Sequence, residues 1–177
     1  MIGFGGKRRP ASEGSATPAR AVRCAVGRGR LRFAHPAGWV VRRTDVSLIL
    51  TDAEPPAETC AIEVSILDLP PLESAGLTLA QLVARSDPGR GDGGPPADLR
   101  PMRRGGVEIV WTDKVFADQT PPLVVRRAWC YGDGVYAVFC YGFRQHGSPA
   151  EEAVWTNLLE SIEIGPAPID VGGSAGR

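Results

Sequence analysis

The chain has 177 residues, and 43% of them are apolar, which is enough to bury the core of one ordinary domain. Its formal net charge is zero, but residues 1–32 carry eight Lys or Arg against one Glu, so the remainder is acidic. An acidic folded part argues against a nucleic-acid partner. No run reaches the roughly 18 apolar residues that an integral membrane helix needs, and no apolar segment of a secretory signal follows the first arginines.

The two ends of the chain have the composition of tails. Residues 1–29 are rich in Gly, Ala, Ser, Pro and Arg without hydrophobic periodicity, which predicts a disordered basic tail. Residues 165–177 are rich in Gly and Pro and predict a second disordered tail, which leaves residues 30–164 as a single domain. Cys130 and Cys140 are expected to lie too far apart along a hairpin for a disulfide. Free thiols without a secretion signal favour a reducing compartment, so the sequence predicts a cytoplasmic protein.

The first part of the domain reads as three short strands. Leu31 and Phe33 alternate with other residues as in a strand, and a Pro-Ala-Gly turn at residues 36–38 ends it. Residues 47–51 (SLILT) and 60–67 (CAIEVSIL) predict the second and third strands, each bounded by prolines.

A short helix and two further strands follow. Thr78 and Gln81 have the spacing of a capping box, so we predict that a helix begins at Thr78. This helix ends near Arg85 because a Pro-Gly pair follows shortly after it. Residues 99–104 and 107–116 then predict two strands that are joined by a Gly-Gly turn.

Residues 123–143 (LVVRRAWCYGDGVYAVFCYGF) are the strongest signal in the chain and predict a long β-hairpin. A three-residue loop at 132–134 would pair Tyr131 with Val135, whereas a two-residue loop would shift the register by one residue. Both faces of this hairpin are apolar apart from two adjacent arginines, residues 126–127, so we expect the central pair of a sheet that is covered on both sides.

The hairpin also supplies the predicted binding residues. With the three-residue loop, Arg127, Trp129, Phe139 and Tyr141 share one face, and the helix at Thr78 is too short to cover a whole face of the sheet. We therefore predict a protein-binding surface at these four residues. For the arginine pair, we favour long side-chain stems that cover apolar surface with their charges in water. The alternative is a charge clamp at a binding surface.

The last element is an amphipathic helix. Ser148, Pro149 and Glu151 are typical of a helix start, and an apolar stripe follows up to about Ser161. A brief strand at residues 162–164 would complete the fold. The elements sum to an α+β fold, an antiparallel sheet of about six or seven strands with a helix on each face.

No catalytic or metal-binding constellation is predicted. The chain has two histidines, His35 and His146, each beside a turn, and it lacks the His and Cys spacings of a zinc site. We therefore expect no metal, no cofactor and no enzymatic activity. An enzyme would require a constellation that is formed only in space, such as His146 with Asp113 or Cys60.

The order of these motifs resembles the PsbP-like and DcrB-like superfamily. The likeness rests on the opening LRFAHPAGW (residues 31–39), the LTLAQ helix start (77–81) and the segment GVYAVF (134–139) that precedes an amphipathic helix. It spans residues 30–164. The resemblance implies an α/β sandwich around an antiparallel sheet in a superfamily whose members are mostly non-catalytic. These include photosystem subunits, envelope lipoproteins, a Ran-binding protein and type VI secretion effector chaperones, which bind effector transmembrane helices on a sheet surface.

These observations favour a non-catalytic protein-binding module, a cytoplasmic chaperone or adaptor that is associated with secretion. The alternative is an envelope-associated or small-ligand-binding domain with a misassigned N-terminus. An enzyme of unknown type is the least favoured of the three.

Overall fold

The computed structural model describes residues 20–86, 98–118, 120–144 and 149–166. These residues form ten strands and two α-helices, and a short 3₁₀ helix at Leu72–Ala75 precedes the first α-helix. In chain order the elements are β1 (Ala21–Val26), β2 (Leu31–Pro36), β3 (Val40–Arg43), β4 (Leu48–Thr51), β5 (Cys60–Asp68), α1 (Leu79–Ser86), β6 (Arg100–Arg104), β7 (Val107–Phe116), β8 (Leu123–Gly132), β9 (Val135–Phe143), α2 (Pro149–Ser161) and β10 (Glu163–Ile164).

Seven strands form one antiparallel sheet in the order β3-β4-β5-β9-β8-β7-β6, and β1-β2-β10 form a second, smaller antiparallel sheet. The predicted α+β fold with a helix on each face of the main sheet is confirmed. On what we call the core face, α2 and the small sheet bury side chains such as Phe33, Phe139 and Leu158. On the opposite side, the α1 face, Leu79 and Val83 of α1 complete a second apolar cluster.

The domain begins earlier than the sequence predicts. Strand β1 lies within residues 1–29, the segment that composition assigns to a tail, and it pairs with β2 along its whole length. The turn between them contains three consecutive residues with positive φ, Gly27, Arg28 and Gly29. Gly27 also packs so closely on Ile66 that an added Cβ would lie 2.2 Å from its Cδ1 atom. These glycines therefore serve a tight turn between strands, although their composition resembles that of a tail. Residues 1–19 and 167–177 lie outside the described residues.

The hairpin of β8 and β9 has a two-residue turn, so the three-residue loop is a wrong prediction. Tyr131 pairs with Tyr136 and Gly132 with Val135, which leaves Asp133 and Gly134 as the turn. Both turn residues have positive φ, 46° and 69°. An Asp-Gly pair accepts this backbone readily, and such turns match the natural twist of a hairpin. The prediction of a central pair in the sheet is correct, because β5 and β7 flank the two strands.

The capping box at the start of α1 forms as predicted. The backbone N–H of Gln81 donates to the Thr78 hydroxyl at 3.2 Å, and the backbone N–H of Thr78 donates to the Gln81 side chain at 2.9 Å. The helix ends at Ser86, one residue after the predicted end. The predicted cap of α2, Ser148, lies outside the described residues.

Candidate functional site

The four predicted binding residues do not share one face. The two-residue turn places Phe139 and Tyr141 on the core face, where both side chains are completely buried. Trp129 and Arg127 lie on the α1 face. Trp129 is buried in the cluster beneath α1, and Arg127 is exposed. The predicted common surface is therefore wrong, since a one-residue shift of register turns every side chain of β9 to the opposite face relative to β8. Binding through Arg127 stays a prediction.

Helix α1 covers only part of the α1 face. It packs on β7 and β8, and its apolar residues meet Val110, Trp129 and Tyr136. The rest of this face is formed by β3, β4 and β5, and by the ends of β8 and β9 that are distant from the hairpin turn. Apart from Thr51, which is buried, its side chains are half-buried or exposed. We call this region the open face, and define it by the residues Val40, Arg42, Ile49, Ala61, Glu63, Ser65, Leu67, Val125, Arg127, Cys140 and Gly142.

Charges of both signs form a row across the open face. The strand register aligns Arg127 with Cys140, Cys140 with Glu63, Glu63 with Ile49, and Ile49 with Arg42. Adjacent strands lie about 4.8 Å apart, so Glu63 is about 10 Å from each arginine, measured across the sheet. Within the part of the chain that the structure describes, none of these three charged groups makes an ion pair. All three are exposed and therefore accessible to a partner.

Small side chains form one end of the open face. Gly142 lies between Ala61 and Val125 in neighbouring strands, and a Cβ atom built on Gly142 would meet nothing within 4 Å. Glycine in a strand interior often marks a place where another backbone approaches closely. The open face thus combines a floor of small side chains with charged groups beside it.

Arg126, the neighbour of Arg127, is buried and makes contacts within the fold. It lies on the core face opposite Tyr141 with 4% of its surface exposed. Both of its terminal nitrogens donate to the Glu152 carboxylate of α2, with 3.1 Å from Nη1 to Oε2. Its guanidinium also lies 5.3 Å from the ring centre of Phe143. The favoured interpretation of a charge in water is therefore wrong for Arg126 and fits only Arg127.

Three side chains on the core face, Cys60, Cys130 and Tyr141, are not activated as nucleophiles. Burial, the nearby Asp52 charge and further contacts raise the pKa of the Cys60 thiol to about 11. Burial and the neighbouring Cys60 likewise raise the pKa of Tyr141. Burial alone raises the pKa of Cys130. Reactive thiols require a lowered pKa, so these groups stay protonated at neutral pH. All four cysteines are free.

The structure describes only some of the residues that were named for an enzymatic alternative. His146 lies outside the described residues, and Asp113 makes an ion pair with Arg100 at 3.6 Å. His35 is buried in β2, with its Nδ1 atom 2.9 Å from the carbonyl oxygen of Pro36. Among the residues that the structure describes, no three His, Cys, Asp or Glu side chains are grouped as metal ligands would be.

A concave feature lies between the start of α1 and the strands β6 and β7, of which β6 is the edge strand. It is an open groove of about 420 Å³, and its lining includes Leu79, Met102 and Val110. An ion pair between Arg103 and Glu108, 3.4 Å apart, is part of the same lining. The groove is mainly apolar, and it is separated from the open face by α1.

The comparisons with known proteins place the chain in a family. The sequence profile of the Alr1449 family matches residues 23–167. The chain belongs to the Alr1449 family. A relative from Nostoc sp., the uncharacterized protein alr1449, is 29% identical over 143 residues, which cover 78% of this chain and 74% of the relative. The family match includes most of β1, in agreement with the early start of the domain.

Solved structures of low sequence identity share the fold. The cyanobacterial PsbP protein CyanoP of Synechocystis sp. superposes with a TM-score of 0.55 at 15% identity, over 88% of this chain and 99% of that chain. A Bacteroides thetaiotaomicron crystal structure gives a TM-score of 0.57 at 10% identity over 81% of this chain. The match spans about half of the Bacteroides protein, 48% of its length. A mutant of protein Mog1 gives a TM-score of 0.50 at 11% identity, over 82% of this chain and 96% of that chain.

These likenesses confirm the PsbP-like α/β sandwich that the sequence predicts. They show the fold alone, and the DcrB-like branch stays a prediction. Within the described part of the chain, no helix has both the length and the apolar character needed to cross a membrane.

Proposed function

We propose that this Alr1449-family protein is a non-catalytic protein-binding module. It acts as a cytoplasmic chaperone or adaptor that holds a helical segment of another protein on the open face. The proposal rests on one observation above all: the sheet face that binds α1 continues beside α1 as a floor of small side chains with unpaired charges. A segment that packs on this floor completes the helical layer on this side of the sheet.

The dimensions of the elements support a helical partner. Helix α1 has eight residues and is about 12 Å long, whereas β8 has ten residues and spans about 33 Å. A helix against a sheet buries one apolar stripe, and small side chains beneath it let its backbone approach closely. Ala61, Ser65 and Gly142 are the small residues of the floor, and Val125 and Ile49 add apolar surface beside them.

The charges of the open face support a specific partner. Arg127 and Arg42 lie on either side of Glu63, so a well-matched helix carries acidic residues towards the two arginines and a basic residue towards Glu63. Exposed complementary charges contribute more to association rate and partner choice than to affinity. The apolar floor therefore supplies most of the binding free energy, and the arginines select among partners.

The test begins with the partner in its own cell. A photo-cross-linking residue is placed at position 127, its cross-linked protein is identified by mass spectrometry, and the purified partner is titrated against the purified domain. Gly142→Phe then places an aromatic ring on this floor, where an added Cβ meets nothing within 4 Å. We expect this variant to weaken binding more than tenfold, about 1.4 kcal/mol, and Arg127→Glu to slow association.

Gly106→Phe is the matched control, because a Cβ at Gly106 also meets nothing within 4 Å and this glycine lies in the turn between β6 and β7. It should bind the partner as the wild type does. Equal affinity of the Gly142→Phe and wild-type proteins would contradict the proposal. So would a cross-linked protein that does not bind the purified domain.

A further inference from the structure

We propose that the outer edge of β1, which pairs with no other strand among the described residues, is a second docking site, which takes an extended acidic segment of another protein as a fourth strand of the small sheet. An extended segment can add to an exposed sheet edge through backbone hydrogen bonds, and its alternate side chains then provide specificity. This site lies on a different sheet from the open face, so the inference does not depend on the proposed function.

The other sheet edges carry the usual protection against such pairing, which is a short strand, a proline or a concentration of charge. Strand β3 has four residues, two of which are arginines, and β10 has two residues. Strand β6 contains Pro101 and three arginines. Strand β1 has six residues, no proline and a single charge, Arg23. Among the described edge strands, β1 is therefore the one that lacks these features.

Apolar side chains beside this edge are incompletely covered. Val22 of β1 and Val41 of β3 both point towards the layer between the two sheets, because they alternate with residues on the outer faces. They are nevertheless 42% and 43% exposed. Arg43 of β3 lies close enough to Cys24 of β1 to oppose the effect of burial, which raises the pKa of that thiol. The layer between the two sheets thus leaves apolar side chains exposed at this edge.

The charges beside β1 indicate which kind of segment binds at this edge. Arg20, Arg23 and Arg43 lie at or beside β1, and only Arg23 has an ion-pair partner among the described residues, Glu163 at 3.3 Å. A second copy of the chain that paired through β1 would bring further arginines to this edge. Residues 1–19 carry three basic residues against one acidic residue, so their charge also has the wrong sign. A segment that alternates apolar and acidic residues fits both the exposed valines and the charge.

The test uses two fluorescent eight-residue peptides, one alternating Val and Glu and the other alternating Val and Lys, each titrated against the full chain by fluorescence anisotropy. We expect the Val-Glu peptide to bind and to slow hydrogen exchange at residues 21–26, and the Val-Lys peptide to bind at least fivefold more weakly. N-methylation of the Val-Glu backbone should abolish binding, since it removes the donors that pair with an edge.

Matched variants separate this edge from the rest of the surface. Val22→Glu and Arg23→Glu should each weaken Val-Glu binding about fivefold. The same changes at Val115, which is 45% exposed, and at Arg104 on the β6 edge should have no effect. Arg127→Glu should also have no effect, which separates this site from the open face.

Several outcomes would overturn the inference. They are the absence of Val-Glu binding up to about 1 mM, equal binding of both peptides, and exchange protection at residues 100–104 in place of 21–26. A concentration-dependent dimer that the Val22→Glu variant abolishes would assign the edge to a second copy of the chain and would equally refute an acidic partner.

Discussion

The ion pair between Arg126 and Glu152 should be asymmetric in its effect on stability. Arg126 is 4% exposed within the core, whereas the Glu152 side chain in the first turn of α2 is 53% exposed. Glu152→Ala leaves a positive charge in the core. Arg126→Met removes that charge and leaves a carboxylate that water can solvate. We therefore expect the substitution of the exposed residue to be the more destabilising of the two.

The magnitudes follow from burial. Leaving one member of a fully buried pair without its partner costs about 3–5 kcal/mol. Water reaches Glu152, and it can partly hydrate Arg126 once the carboxylate is removed, so we expect a loss of about 2–3 kcal/mol for Glu152→Ala. This includes about 0.5 kcal/mol for an acidic residue lost from a helix N-terminus. Arg126→Met should cost about 1 kcal/mol, because methionine retains much of the apolar contact of the arginine stem.

Urea unfolding followed by circular dichroism measures these losses, and a thermal scan should show a shift of about 2–4 °C for each kcal/mol. Glu160→Ala, at an exposed position of the same helix, is the control and should stay within about 0.5 kcal/mol of the wild type. In the Arg126→Met background, Glu152→Ala should cost less than about 1 kcal/mol. A larger loss for Arg126→Met than for Glu152→Ala would refute the assignment of Arg126 as a buried charge that depends on Glu152.

Three further predictions concern single sites. Gly142→Val should raise the free energy of unfolding by about 0.5–1 kcal/mol, because open space surrounds the site and valine favours strands; Gly132→Val should lower it, since its Cβ would lie 3.3 Å from the carbonyl oxygen of Gly106. Burial disfavours the Asp52 carboxylate, but hydrogen bonds from Thr59 and Cys60 outweigh burial and lower its pKa below the ordinary 3.8. The ionised form thus stabilises the fold above about pH 4, and the advantage of wild type over Asp52→Asn in urea unfolding should shrink as the pH falls from about 5 to 3. Iodoacetamide at pH 8 should modify Cys140 of the open face before the other three thiols. Peptide mass spectrometry measures the order of modification, and alkylation of all four thiols at one rate would contradict this prediction.

Local signals in the sequence predicted most of the elements. The capping box of Thr78 and Gln81 fixes the start of α1 through two hydrogen bonds within one turn, so it needs no information from the rest of the fold. The turn at residues 105–106 and the apolar runs of β5, β7, β8 and β9 are equally local. These signals were sufficient for the fold class, because alternating apolar strands and one helix for each face admit few antiparallel arrangements.

The small sheet depends on contacts that are distant in sequence, and this is why composition missed β1. The residues AVRCAV contain only short side chains and one arginine, so their alternation is weak. They form a strand because β2 supplies a partner and because Gly27 packs on Ile66 of β5. Ion pairs from Glu163 of β10 to Arg23 and Arg32 then connect the three strands of that sheet.

The register of the central hairpin determines which arginine stabilises the fold and which is available to a partner. Both turn lengths leave apolar residues on both faces, and Arg126 and Arg127 are chemically equivalent, so the hairpin sequence alone cannot distinguish them. The distinction comes from α2, which places Glu152 above the core face where Arg126 lies opposite Tyr141. The opposite register would direct the Arg127 guanidinium into the core and Arg126 onto the open face. The position of one carboxylate on a helix that follows the hairpin therefore supports the register, and it leaves Arg127 as the exposed charge of the open face.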